Sequence, residues 1–270
     1  MMMQYLSSLI LGIIQGITEF VPISSSGHLV LLHKVLPLDL VSNLAFDVAL
    51  HFGTLLAVIF FFWVDIGKII NAWLRGGFRR NMDSQAKLGW YIIVATFPAA
   101  LTGYFFEDFI ETKLRSVLVV AVMLAVIAIL FLLVEKKSWQ TEELDKLNWQ
   151  KSLWVGLAQA VALIPGTSRS GITIIAGISG NLKREAAVRF SFLLSIPIVL
   201  GANIKKIPAV AGIFVQGDFI LLLIGFFMSF VFGWLAIKYF LKFVRSNSLA
   251  IFAYYRIALA CLILILYFIK

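Results

Sequence analysis

Two stretches of this chain carry no charged residue over a length that approaches the thickness of a lipid bilayer. Residues 116–134 read SVLVVAVMLAVIAILFLLV, and residues 219–237 read FILLLIGFFMSFVFGWLAI. A helix needs about 20 apolar residues to cross ~30 Å of hydrocarbon. Hydrophobic residues make up 61% of the 270 residues and charged residues only 14%, whereas soluble domains are roughly 25% charged. The sequence therefore predicts an integral membrane protein.

The apolar stretches predict about six membrane crossings. These predicted spans are 44–64, 88–106, 116–134, 186–204, 219–240 and 249–269. Two further apolar regions, 4–36 and 152–180, are each interrupted by Ser, Gly and Pro. Non-helical backbone is tolerated at membrane depth only where it is buried in protein or lines a wet cavity. We therefore expect each interrupted region to be a re-entrant helical hairpin whose tip points toward a site.

The two interrupted regions resemble each other. GIIQGITEFVPISSSG (12–27) overlies GLAQAVALIPGTSRSG (156–171) at a shift of 144 residues, and both contain a Ser-x-Ser-Gly break. Three predicted crossings lie between them, so the second copy would enter the membrane upside down. This pattern predicts one all-α polytopic membrane domain, residues 1–270, built as an inverted-topology repeat. Repeat 1 covers about 4–135 and repeat 2 about 150–269.

The net charge of +9 comes from basic residues in short connectors. Connectors 65–87, 135–151 and 238–248 are basic and are predicted to be cytoplasmic, because Lys and Arg concentrate on that side of membrane proteins. The acidic connector after the second span is predicted to face outward; it contains Glu107, Asp108 and Glu111. The basic residues form no stripe on a soluble surface, so nucleic acid is not predicted as a partner.

Each interruption leads directly into a helix start, where an anion is favoured. Backbone N–H groups converge there, and the helix dipole adds about half a positive charge. Two such cradles facing each other would suit a ligand with two phosphate groups. The alternative is that the serines only cap helices. The predicted substrate-binding residues are Gln15, Ser24, Ser26, Gly27, Thr167, Ser168, Ser170 and Gly171.

Two charged residues belong to these polar segments. Arg169 lies inside the second Ser/Gly segment, where its planar fork could bind phosphate oxygens in pairs. Glu19 shares a helix face with Gln15, since the two are i and i+4. An ionisable residue at membrane depth is a functional-site hypothesis by default. The alternative for Glu19 is a salt bridge to Arg169 with no chemistry.

Three histidines occur in the chain, and one of them adjoins the serine cluster. His28 follows the first Ser/Gly segment, where it could reach a serine hydroxyl or a bound phosphate. A weakly basic nitrogen beside a hydroxyl is what activation of a nucleophile requires. His33 is predicted to face elsewhere. Asp47 and His51 would either line the cavity or pair with each other, and we assign them no role.

These residues resemble a known family. QGITEFVPISSSGH, PGTSRSG, FSFLLSIP (190–197) and FDVALHFGTLLAV (46–58) are similar to segments of the bacitracin-resistance type undecaprenyl-diphosphate phosphatases. The resemblance covers essentially the whole chain. It implies hydrolysis of undecaprenyl (polyprenyl) diphosphate to the monophosphate and inorganic phosphate, which recycles the lipid carrier for cell-wall synthesis. It also implies a bacterial plasma-membrane location with a site that opens toward the outer face.

The resemblance also implies residue roles. By motif match, Glu19, Ser25, His28 and Arg169 fall on residues that act in catalysis or phosphate binding in the family. Gln15 stands where many members have a glutamate, which puts a mechanism with two carboxylates on this helix in question. We predict that Ser25 attacks the terminal phosphorus, assisted by His28, with Glu19 orienting or sharing protons. His28 or water as the nucleophile stays open.

Other partners and functions follow from the same residues. Mg²⁺ or Ca²⁺ is expected to arrive with the diphosphate, with Glu19 as a candidate ligand, and no organic cofactor is predicted. A homodimer is left open. Type-2 phosphatidic acid phosphatases are excluded, because they need a histidine after the Ser-Arg motif and none follows His51. The alternative function is an inverted-repeat transporter or flippase of a lipid phosphate or anion.

Overall fold

The computed structural model describes residues 2–35, 43–76, 81–114, 116–137, 140–211 and 219–269. These residues form helices and connecting turns, with one isolated β-bridge between Glu142 and Leu182. The helices are α1 (Met2–Phe20), α2 (Ser25–Val35), α3 (Asn43–Phe61), α4 (Trp63–Gly76), α5 (Ser84–Lys113), α6 (Val117–Lys137), α7 (Trp149–Val161), α8 (Arg169–Ser179), α9 (Arg184–Ala211), α10 (Phe219–Val244) and α11 (Ala250–Phe268), with a short 3-10 turn at Leu144–Lys146.

Five helices are long and apolar enough to cross a membrane, and α3 with α4 makes a sixth when the bent pair is counted as one span. The predicted all-α, multi-pass architecture is therefore confirmed. The single span predicted at 44–64 differs, because α3 ends at Phe61 and α4 turns by 72°. The segment after the bend carries Asp65, Lys68 and Arg75. Charged side chains are costly in hydrocarbon, which favours a helix that leaves the direction of the span.

Close helix packing holds α1 in place. Helix α1 packs on α10, and small residues form the contact. A Cβ atom added at Gly12 would lie 2.6 Å from the carbonyl oxygen of Gly225, and one at Gly16 would lie 2.8 Å from the nitrogen of Gly233. Small residues let helix backbones approach closely in a membrane, where dispersion contacts replace the hydrophobic drive. This contact fixes the helix that carries Gln15 and Glu19.

Buried aromatic side chains lie next to the polar residues of α1. Phe20, which follows Glu19, is 1% exposed, and its ring meets Phe192 of α9 edge-on with 5.2 Å between ring centroids. Edge-to-face aromatic pairs contribute about 0.5–1.5 kcal/mol beyond their buried area. Helix α9 also packs against α3 and α8. The end of α1 is therefore anchored on an apolar core shared by both halves of the chain.

Candidate functional site

Two turns of similar geometry lead into α2 and α8 and include the first three residues of each helix. We define the first turn as residues 21–27 and the second turn as residues 165–171. Ser24 has φ 75° and Ser168 has φ 72°, a left-handed conformation that few non-glycine residues adopt. The Ser24 hydroxyl accepts the Gly27 N–H at 3.3 Å, and the Ser168 hydroxyl accepts the Gly171 N–H at 3.2 Å. The two serines are related by the shift of 144 residues found in the sequence.

The serines of both turns also bond to one another. The Ser24 and Ser26 hydroxyl oxygens are 3.2 Å apart, and those of Ser168 and Ser170 are 3.3 Å apart. Ser24 and Ser168 cap their helices in this arrangement, because each hydroxyl accepts a backbone N–H of the helix that follows. Capping was the alternative explanation of these serines. An anion bound at either helix start would compete with a hydroxyl for the capped N–H group.

The structure brings the two turns into contact. The Gly166 N–H donates to the Ser26 hydroxyl at 3.4 Å. Gly166 has φ +91°, and a Cβ atom there would lie 2.5 Å from the carbonyl oxygen of Val120 in α6. Only glycine allows both this conformation and this approach. Thr167 is fully buried, and its hydroxyl has no hydrogen-bond partner among the described residues.

Glu19 lies where the side chains of the two turns meet. Its Oε1 accepts a hydrogen bond from Arg169 Nη2 at 2.8 Å. Its Oε2 accepts from the Ser25 hydroxyl at 3.0 Å and from Gln15 Nε2 at 3.1 Å. The Glu19 side chain is 8% exposed and that of Arg169 is 14% exposed. A buried charge needs such partners, since an unpaired one costs several kcal/mol (about 3–5 on breaking a pair).

His28 has two hydrogen-bonding neighbours. Its Nδ1 lies 2.7 Å from the carbonyl oxygen of Ser24, and its Nε2 lies 2.7 Å from the hydroxyl of Tyr255 in α11. A hydroxyl has a single proton to donate, and that of Ser25 is donated to Glu19. In this arrangement the partner of Ser25 is therefore Glu19 and not His28.

His51, to which the sequence analysis assigned no role, lies beside the carboxylate. Its Nδ1 is 3.0 Å from Gln15 Nε2 and 3.5 Å from Glu19 Oε2. The Gln15 amide nitrogen thus lies between a carboxylate and an imidazole. The side-chain carbonyl oxygen of Gln15 has no hydrogen-bond partner in the described part of the chain. A histidine within an apolar span was the signal available in the sequence.

Arg256 is a second residue to which the sequence analysis gave no role. The residue is fully buried, and its guanidinium donates to five backbone carbonyl oxygens. One belongs to Pro22 of the first turn, at 3.2 Å, and two belong to Gly166 and Thr167 of the second turn, at 2.9 and 3.0 Å. The other two are Met123 and Leu124 of α6. One side chain of α11 therefore ties both turns to α6.

The charged residues fit a resident divalent cation poorly. In the residues that the structure describes, no group of three or more His, Cys, Asp or Glu side chains could hold a metal ion. Both oxygens of Glu19 already accept hydrogen bonds from protein donors. Hard divalent cations prefer several oxygen ligands, and these residues do not supply them by themselves.

Comparison with known proteins identifies the family. Residues 8–262 match the family model described as "BacA: Bacitracin resistance protein BacA". A protein of Rubrobacter xylanophilus named undecaprenyl-diphosphatase is 44% identical over 266 residues, covering 97% of this chain and 98% of its own length. One of the same name from Teredinibacter turnerae is 46% identical over 264 residues, covering 97% and 99%. The chain belongs to the BacA family of bacitracin resistance proteins.

Proposed function

We propose that this chain hydrolyses undecaprenyl diphosphate to undecaprenyl phosphate and inorganic phosphate at the contact between the two turns. The chain is an undecaprenyl-diphosphate phosphatase, like the relatives it resembles over nearly its whole length. The observation that carries the proposal is the cluster of Glu19, Ser25 and Arg169. A hydroxyl, a carboxylate and a guanidinium meet there at hydrogen-bond distance.

The first step transfers the terminal phosphoryl group to Ser25. The Ser25 oxygen forms a bond to the terminal phosphorus, and the bond from that phosphorus to the bridging oxygen breaks. The electron pair leaves with undecaprenyl phosphate, and the Ser25 proton passes to Glu19 Oε2. The 3.0 Å hydrogen bond between Ser25 and Glu19 supports this assignment of the base, because proton transfer needs that contact.

The second step restores the enzyme. A water molecule attacks the phosphoserine, the bond from phosphorus to the Ser25 oxygen breaks, and inorganic phosphate leaves. Glu19 returns its proton to the Ser25 oxygen, and the water proton remains with the phosphate product. This scheme makes Ser25 the nucleophile; attack by His28 or directly by water are the alternatives. Mass spectrometry of acid- and alkali-quenched protein would distinguish phosphoserine, phosphohistidine and an unmodified chain.

Arg169 supplies the positive charge that phosphoryl transfer requires. In this arrangement its Nη2 donates to Glu19 and its Nη1 donates to the carbonyl oxygen of Ser191 at 3.3 Å. When the diphosphate binds, the guanidinium can exchange Glu19 for phosphate oxygens in a bidentate contact. Glu19 then loses a positive neighbour, which makes it a stronger base. Charge stabilisation of this kind is the main contribution of proteins to phosphoryl transfer.

A divalent cation is proposed to enter with the diphosphate. Mg²⁺ or Ca²⁺ bound to the substrate would neutralise part of its charge. The protein's own contribution is the Arg169 guanidinium and the polar groups of the two turns. Phosphate release with and without a chelator, followed by addition of each ion, measures this dependence. The alternative of a transporter or flippase is not favoured, since the relatives reported above are named for hydrolysis.

We propose further that the chain is an inverted repeat with two re-entrant hairpins, α1–α2 and α7–α8. The matched conformations of Ser24 and Ser168 support this proposal. The packing supports it too, because the first hairpin contacts α10 of the second repeat and α7 contacts α5 of the first. This exchange of contacts is what two related halves would produce around a shared axis.

The proposed location is the bacterial plasma membrane, with the site open to the outer face. The charge distribution supports the orientation, because the connectors 65–87, 135–151 and 238–248 are basic. Single cysteines at Lys146 and Asp108, introduced after Cys261→Ser, should react with an impermeant maleimide from opposite sides of the membrane. Labelling of both from the same side would reject the topology. We also propose a homodimer, which a measurement of particle mass in nanodiscs would test.

Phosphate release from undecaprenyl diphosphate by purified protein in detergent tests the function. Wild type should release phosphate, and Arg169→Ala should lose about 10²–10³-fold in kcat/KM, as for the loss of one preorganised donor. The matched control is Arg245→Ala, which removes an exposed guanidinium paired with Glu185 and should leave activity unchanged. A wild-type protein that releases no phosphate would reject the proposal.

A further inference from the structure

The hydrogen bonds of His28 define which of its nitrogens carries a proton. A carbonyl oxygen only accepts hydrogen bonds, so the Nδ1 that lies 2.7 Å from the Ser24 oxygen must be the donor. In the neutral imidazole Nε2 is then the acceptor, and the Tyr255 hydroxyl at 2.7 Å is its donor. The two rings are nearly parallel, with 6° between their planes. Ser24 therefore sets the tautomer of His28, and Tyr255 holds the Nε2 side of the ring in one orientation.

The two sides of the site differ in their access to the surroundings. The Glu19 and Arg169 side chains are 8% and 14% exposed. Tyr255, on the other side of His28, is 44% exposed. The prenyl chain of a lipid diphosphate must extend into the bilayer, while the terminal phosphate can be enclosed. The difference in exposed fraction therefore predicts how the substrate is oriented: its prenyl chain extends past Tyr255, and its terminal phosphate lies near Glu19 and Arg169.

The spacing along α2 fits two linked phosphate groups. Ser25 and His28 are i and i+3, so their side chains are neighbours about 5–6 Å apart at Cβ. The two phosphorus atoms of a diphosphate share one bridging oxygen and lie within this reach. When the terminal phosphate lies at Ser25, the phosphate that carries the prenyl chain lies toward His28.

We propose that Tyr255 is a positioning residue for His28, and that the two side chains together receive the phosphate that carries the prenyl chain. The proposal rests on the proposed function for the identity of the ligand. On binding, the Tyr255 hydroxyl turns from Nε2 to one phosphate oxygen, and Nε2 takes up a proton from solvent and donates it to a second phosphate oxygen. The Nδ1 bond to Ser24 keeps the imidazole in place. Tyr255 touches the non-reacting phosphate and takes no part in the transfer of the terminal group.

The closest test removes one oxygen atom. Tyr255→Phe keeps the ring and loses the hydroxyl, and the matched control is Tyr254→Phe on the same helix, at a side chain that is 63% exposed. The probe is a methylene-bridged undecaprenyl diphosphate analogue, which binds without being cleaved. We expect its Kd to rise about tenfold in Tyr255→Phe, as for loss of a hydrogen bond to a charged group, and to stay unchanged in Tyr254→Phe. An unchanged Kd in Tyr255→Phe would overturn the proposal.

A double-mutant cycle separates positioning from a general structural effect. The same Kd is measured for His28→Ala and for His28→Ala with Tyr255→Phe. Because Tyr255 acts partly through His28 and partly on the phosphate itself, the second change should weaken binding by clearly less than about tenfold once His28 is gone. Losses that multiply in full would overturn this part of the proposal.

The tautomer itself is measurable. The chain has three histidines, so selective ¹⁵N-histidine labelling gives three ring systems, and the His28→Ala variant assigns one of them. We expect a protonated Nδ1 and an unprotonated Nε2 for His28 in wild type, and a changed Nε2 chemical shift in Tyr255→Phe, where that nitrogen loses its hydrogen-bond donor. A His28 signal that does not change would contradict the positioning role. The Kd and tautomer measurements need no turnover, so they stand even if phosphate release fails.

Discussion

The first and second turns have the same backbone conformation but carry different functional groups. Ser24 and Ser168 have nearly the same φ, and each caps its helix through the third following residue. At the shift of 144 residues, Ser25 corresponds to Arg169 and Glu19 corresponds to Leu163. The hydroxyl and the carboxylate thus belong to the first turn and the helix before it, whereas the guanidinium belongs to the second.

This difference explains how two similar turns can form one site. Two identical acidic turns would place like charges side by side in a medium that screens them poorly. The chain instead sets Glu19 against Arg169 at 2.8 Å. Arg256 joins the two similar backbones, because it donates to the corresponding carbonyl oxygens of Pro22 and Gly166.

The largest expected effect comes from Glu19, the group with no polar counterpart on the second turn. Glu19→Gln keeps the shape and removes the base, so kcat/KM should fall about 10²–10⁴-fold, the usual contribution of general base catalysis. The matched control is Leu163→Met at the corresponding position, which should change activity little. Phosphate release checks both. Substantial activity in Glu19→Gln would transfer the role of base to another group.

The next effect concerns the charge on the second turn. Arg169→Lys keeps the charge but loses the planar fork, so kcat/KM should remain at least about tenfold below wild type. Arg169→Ala should be lower still. Initial rates across a range of substrate concentrations measure both variants. Full activity in Arg169→Lys would show that a point charge is sufficient and would weaken the bidentate assignment.

A smaller catalytic effect is expected when the link between the turns is cut. Arg256→Met fills similar space but removes a donor from the carbonyl oxygens of Pro22, Gly166 and Thr167, which lie in the turns and not inside a helix. Each buried unsatisfied group costs about 1–3 kcal/mol, so thermal stability in detergent should fall clearly and activity should fall with it. Arg256→Lys should recover part of both. Unchanged stability in Arg256→Met would mean that the turns are held by other contacts.

The caps offer a direct comparison of the two turns. Ser24→Ala and Ser168→Ala each lose a cap and should cost about 1 kcal/mol of stability. Ser24→Gly and Ser168→Gly should cost less, because glycine adopts the positive φ of these positions without strain. Denaturation midpoints of the four variants provide the measurement. An alanine variant as stable as its glycine partner would contradict the strained conformation at that turn.

The smallest effect lies outside the candidate membrane-spanning helices, near the start of α7. Lys151 hydrogen-bonds Glu142 and holds the pKa of that carboxyl below its ordinary value. A lowered pKa stabilises the fold above the ordinary carboxyl pKa, and this stabilisation is lost as the pH falls through the lowered value. Glu142→Gln should therefore reduce stability by less than about 1 kcal/mol near neutral pH and not at all in acid. Melting curves over pH test this; a difference that persists in acid would argue against the ion pair.

The architecture and both polar turns could be predicted from the sequence, because each depends on residues that are close together along the chain. Apolar length predicted the spans, and the Ser-x-Ser-Gly match predicted that Ser24 and Ser168 would lie in related segments. Whether the two segments belong to an inverted repeat stays a proposal. The bend after Phe61 was missed because the apolar run continues through Phe62 to Val64, although helix α3 ends before it.

The contacts between distant elements could not be predicted from sequence. Tyr255 and Arg256 are separated from the first turn by more than 220 residues, and nothing local to α11 indicates which groups they meet. His51 presented the same difficulty, since the sequence left open whether it lines the cavity or pairs with Asp47, and only the fold shows that it lies beside Gln15 and Glu19. An ionisable residue in an apolar span was the one available signal, and it applied to Arg256 as well as to Glu19.

The most direct test of a site shared by the two turns is a double-mutant cycle across them. kcat/KM is measured for wild type, Glu19→Asp, Arg169→Lys and the double variant, all in the same detergent. Because the two side chains act as a unit, the loss in the double variant should be smaller than the product of the single losses, by about tenfold or more. Losses that simply multiply would mean that Glu19 and Arg169 act independently, and a single site between the turns would be contradicted.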